Sequence, residues 1–96
     1  MNQSVLREST PSIDVRSISL MLDRSLQARG ITAKVAIFDS CCYILLISHQ
    51  LPNPGIVMDW VQKQLQECSF SAIDRFKIYG RQVGRKLPLW QQELAI

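Results

Sequence analysis

Little in this chain advertises a chemistry, and each shortage removes a class of function. There is one histidine, His49, in 96 residues. Histidine-based catalysis would need a carboxylate or thiol beside it. His49 falls at the end of an expected strand, before a proline-rich turn, where an ordinary surface residue is the simpler reading. Cysteine is scarce and odd in number: Cys41, Cys42 and Cys68. Neighbours on a strand point to opposite faces, so Cys41 and Cys42 should not bridge each other. There is no Cys-x-x-Cys spacing, and Cys41, Cys42 and His49 are awkwardly placed for a metal. Three buried thiols acting as small apolar groups are expected. The four glycines form no phosphate loop, dinucleotide fingerprint or Gly-x-Ser-x-Gly elbow. No enzyme, metal or cofactor is expected on these grounds.

Long apolar runs are also missing. The longest, Cys41–Ile47, is far below the roughly 20 residues that a membrane span requires. The N-terminus is polar and lacks the apolar core of a signal peptide. The expectation is a protein of the reducing cytoplasm with no membrane partner.

Apolar residues make up 47% of the chain, enough for one modest core. Residues 1–12 are polar and aperiodic and read as a flexible arm, with a single domain over 13–96. A helix is expected from about Asp14 to Arg29, capped by Ser12 or Asp14 and stopped by Gly30. Its Ile18, Met21, Leu22 and Leu26 share one face. Ile31–Phe38 alternates as a strand, with Lys34 on its wet face. Asp39-Ser40 is a tight turn. Cys41–Ile47 does not alternate, so it reads as a strand buried on both faces.

Pro52-Asn53-Pro54-Gly55 ends that strand and starts a second helix, with Asn53 as N-cap and Pro54 in the first turn. Val57, Trp60, Val61, Leu65 and Cys68 make its stripe, leaving Met58, Gln62 and Gln66 to solvent. Phe70 is a core candidate in the link that follows. A third strand is expected over Ile73–Tyr79, a loop over Gly80–Pro88, and a fourth strand over Leu89–Ile96.

The order αββαββ predicts an α+β two-layer sandwich, a four-stranded, mainly antiparallel sheet with both helices on one face. Placing the charged strands one and three at the edges gives the order 3-4-2-1, a circularly permuted ferredoxin-like sheet. The order 1-2-3-4 is the main competitor.

Charge is mildly basic overall, at +3, but unevenly spread. Arg75, Lys77, Arg81, Arg85 and Lys86 are five of the eleven cations, opposed nearby only by Asp74. Arg75, Lys77 and Tyr79 share a strand face, which suits phosphate contact and base stacking. Gly80 and Gly84 would let loop amides approach an anion. The competing reading is a solvated edge strand whose cations discourage aggregation. Trp60 is expected in the core, and Trp90 either there or at a partner's surface.

Leu26-Gln27, then Gly30-Ile31-Thr32-Ala33-Lys34, then Lys77-Ile78-Tyr79-Gly80-Arg81-Gln82, then Pro88-x-Trp90-x-Gln92-Glu93 together resemble a small uncharacterised cyanobacterial domain family. The resemblance spans about residues 14–96 and implies an accessory or regulatory module, sometimes repeated within a chain. It implies no catalytic residues. In that family acidic residues commonly follow the second loop glycine, where this chain has Arg85-Lys86. The expected function is therefore a protein-interaction module with an unknown protein partner, or a homodimer joined at a strand edge. Binding of nucleic acid or a small anion through residues 75–86 is the alternative.

Overall fold

The computed structural model describes residues 15–51, 53–66 and 73–95. The proposed arm, the caps Ser12 and Asp14, and Cys68 and Phe70 lie outside them. Helix α1 is Val15–Leu26, followed by a 3-10 turn, Gln27–Arg29. Gly30 stops it in the left-handed conformation (φ 73°), its N–H donating to Gln27 O at 2.9 Å. Strands β1 (Thr32–Phe38) and β2 (Cys41–Ser48) form an antiparallel hairpin. Its two-residue turn holds Asp39 (φ 50°) and Ser40 (φ 65°) in the left-handed region that such turns demand.

Helix α2 is Pro54–Gln66. Asn53 caps it as expected, Oδ1 accepting from the Gly55 N–H at 2.7 Å. Asp59 and Lys63 pair at 3.4 Å on its outer side. Strands β3 (Arg75–Gln82) and β4 (Trp90–Ala95) complete the sheet as a second antiparallel hairpin.

The α+β sandwich with two helices on one face is what the chain builds. One buried cluster joins Ile18, Leu22 and Leu26 of α1 and Val57, Val61 and Leu65 of α2 to the sheet. The sheet contributes Ala33, Cys42, Ile44, Leu46, Phe76 and Ile78, all from one side of the pleat. Met58, expected in solvent, packs partly against this core.

The strand order differs from the first choice. It is β1-β2-β3-β4, the competing arrangement, so the sheet is not the permuted ferredoxin-like one. It is mixed, since β2 and β3 are parallel, Cys41 beside Arg75 through Ser48 beside Gln82. Helix α2 makes the crossover that parallel neighbours need. Two features misled the sequence reading. Arg75 and Lys77 looked like edge residues, yet a central strand tolerates them when helices cover only one face. The loop at Gly80 also begins later than expected, because β3 runs on to Gln82.

Candidate functional site, the open face of the sheet

Strand β2 was expected to be buried on both faces, and that expectation fails. Cys42, Ile44, Leu46 and Ser48 are buried on the helix side, whereas on the other side Cys41 is buried at the start of the strand and Tyr43, Leu45 and Ile47 are only half-buried. Neither α1 nor α2 covers that second side. Among the described residues, its apolar side chains are flanked by long neighbours on the adjoining strands.

The registers place those neighbours in cross-strand rows. Thr32, Ile47 and Arg81 form one. Lys34, Leu45, Tyr79 and Gln91 form the next. Then come Ala36, Tyr43, Lys77 and Glu93, and last Phe38, Cys41, Arg75 and Ala95. An apolar line on β2 therefore runs between Lys34 on one side and Arg75, Lys77 and Arg81 on the other. Among the described residues, Glu93 is the only acid on this face. It reaches Lys77 Nζ at 3.9 Å, a half-exposed pair worth at most about 1 kcal/mol. Lys77 Nζ also lies 5.9 Å from the Tyr43 ring centroid. Small Ala36 leaves a recess of about 300 Å³ above Leu45, walled by Tyr43, Tyr79 and Lys34. A broader groove on the helix layer, about 570 Å³, has Ser17, Leu20, Arg24 and Gln64 around it, with no aromatic among the described residues that line it.

Of the residues singled out from sequence, Arg75, Lys77, Tyr79 and Arg81 do share one face. The Arg81 Nε atom is buried and has no hydrogen-bond partner among the described residues. Gly80 does not belong with them. It lies on the helix side of β3, where a Cβ would stand 2.6 Å from Trp90 Nε1 and closer still to the ring carbons. Its role is to admit the Trp90 indole. Arg85 and Lys86 stand on the exposed loop beyond β3, apart from the face. Tyr43, Leu45 and Lys34 were missed. The alternation of β1 did mark Lys34 as solvent-facing, but nothing local tells which side of β2 the helices leave bare.

Cys42 is fully buried, and burial, with Cys41 beside it, pushes its thiol up from 9.0 to about 12. It stays protonated at neutral pH and is a poor nucleophile. His49 and the two cysteines stand at opposite ends of β2, about 20 Å or more apart at strand rise. The carbonyl of His49 accepts from Gln82 Nε2 at 2.8 Å. Among the described residues there is no group of three or more metal-ligating side chains. No helix among them is long and apolar enough to cross a membrane. No protein-family model, curated protein or solved structure matches the chain.

Proposed function

We propose that this domain is a non-enzymatic protein-interaction module that docks a partner on the open face of its sheet. The observation that carries the reading is the uncovered apolar line Tyr43, Leu45 and Ile47 between cations. Half-buried tyrosine and leucine inside a charged rim have the composition of a contact centre. With Lys34, Arg75, Lys77 and Arg81 against Glu93, the fitting partner presents an apolar side chain beside carboxylates. Arg81 Nε would gain an acceptor there. The resemblance to an accessory or regulatory module agrees with this reading.

The same charges oppose pairing two copies face to face. Self-association would instead use the β4 edge. On β1, the Ala33 N–H is already taken by Asp23 Oδ1 at 3.1 Å. Sedimentation at rising concentration tests this branch, and a monomer throughout rejects it.

Site-specific photo-crosslinking tests the main reading. Crosslinkers replacing Lys34 or Gln91, on the face, should capture one partner in cells. Crosslinkers replacing Arg16 or Gln62, on the helices, should not. Capture from the helix positions alone would reject the proposal. Binding of single-stranded nucleic acid is the second reading, favoured by Tyr43 and Tyr79 among the cations. It requires oligonucleotide affinity that falls steeply with salt, and no binding at low salt removes it.

A further inference from the structure

The registers also define the two ends of the sheet. Thr32 opens β1 opposite the close of β2, Ser48 lies beside Gln82, and Gly80 faces Trp90. The 3-10 turn after α1, the start of α2 and the loop joining β3 to β4 therefore gather at one end. Within described residues 27–32, 47–57 and 81–91 there are four cations, Arg29, Arg81, Arg85 and Lys86, and no acid, although the Asp23 carboxylate reaches the Ala33 N–H just inside this end. Asp39 and Asp74 lie at the opposite end.

The basic end is also apolar at its tip. Leu87 is 76% exposed, Leu89 53% and Val83 46%, all on the seven-residue loop that carries Arg85 and Lys86. Ile56, on the first turn of α2, is half exposed nearby. The loop is anchored at its base, where the Val83 N–H donates to Ser48 O at 2.9 Å and the Leu89 N–H to Gly80 O. Gly84 turns it in the left-handed conformation.

We propose that this end docks on an anionic bilayer surface, with Leu87 and Leu89 entering the headgroup region and Arg85 and Lys86 meeting lipid phosphates. Bare aliphatics flanked by cations are what interfacial adsorption uses. Nucleic acid would want an aromatic for stacking, and the loop has none. Protein hot spots draw on tyrosine, tryptophan and arginine more than on leucine and valine. The expectation of no membrane partner rested on the lack of a spanning segment, and surface docking needs none.

Co-sedimentation of the full chain with vesicles tests the assignment. Vesicles of equal parts phosphatidylcholine and phosphatidylglycerol should bind it, and vesicles of phosphatidylcholine alone should not. Arg85→Gln with Lys86→Gln should weaken binding by roughly fivefold per cation. Leu87→Gln with Leu89→Gln should weaken it about tenfold or more. Leu20→Gln, at an exposed leucine on α1, should leave it unchanged. These positions are exposed, so the variants fold, which circular dichroism checks. Failure to bind the anionic vesicles overturns the proposal. So does binding that the leucine pair does not alter, which would be charge attraction alone.

Discussion

At Gly80 the Trp90 indole packs directly against the backbone of β3. The indole occupies the space where any other residue at position 80 would carry its Cβ. Gly80→Ala must displace the ring or part β3 from β4, and should destabilise the fold by about 2 kcal/mol in urea unfolding. Trp90→Ala in the same chain should absorb most of that cost, so the pair will be strongly non-additive. From sequence Gly80 read as the start of a loop, because glycine more often punctuates than packs. A ring ten residues further along leaves no local mark on it. Cys42 gives a second residue-level test. Its folded value lies above 9.0, so the native state holds the proton longer than the unfolded chain. The stability this contributes is full below about pH 9 and is lost as pH rises toward about 12. Thermal melts should fall through that range, and Cys42→Ala should flatten the fall.

Among the elements, the helices were legible and the sheet less so. A helix carries its signals within a few residues: the Asn53 cap, Pro54 in the first turn, Gly30 as a stop, and a period that brings Val57, Val61 and Leu65 together. The turn at Asp39-Ser40 was equally plain, and its cost is visible, because two residues with a Cβ are held at positive φ. Replacing them with Asn-Gly should stabilise the hairpin by about 1 kcal/mol, read as a shift in the urea midpoint. Strand β2 misled because its outward Tyr43, Leu45 and Ile47 are as apolar as its inward residues. Strand β3 misled because cations on an open face resemble cations on an edge. Both errors share one cause. Burial of a strand's second face depends on what crosses it, and that is settled by contacts between residues far apart in the chain.

At the scale of the molecule, one layer of helices and one sheet leave three kinds of surface: a helix layer, an open face and two ends. The candidate cations divide between the last two, Arg75, Lys77 and Arg81 on the face and Arg85 and Lys86 on the loop beyond it. Composition showed a basic stretch but could not separate these, since strand alternation and the end of β3 decide the division. Strand β2 has one face in the core and one face that the helices leave open. Leu45 and Leu46 are neighbours on opposite sides of it. Urea unfolding of Leu45→Lys beside Leu46→Lys tests that directly. Leu45→Lys should cost about 1 kcal/mol or less, as at a surface, because the ammonium can reach water along the open face. Leu46→Lys should cost more than about 3 kcal/mol, because it leaves an unpaired charge in the core. Equal losses at the two positions would mean that both faces are packed, and would contradict the account.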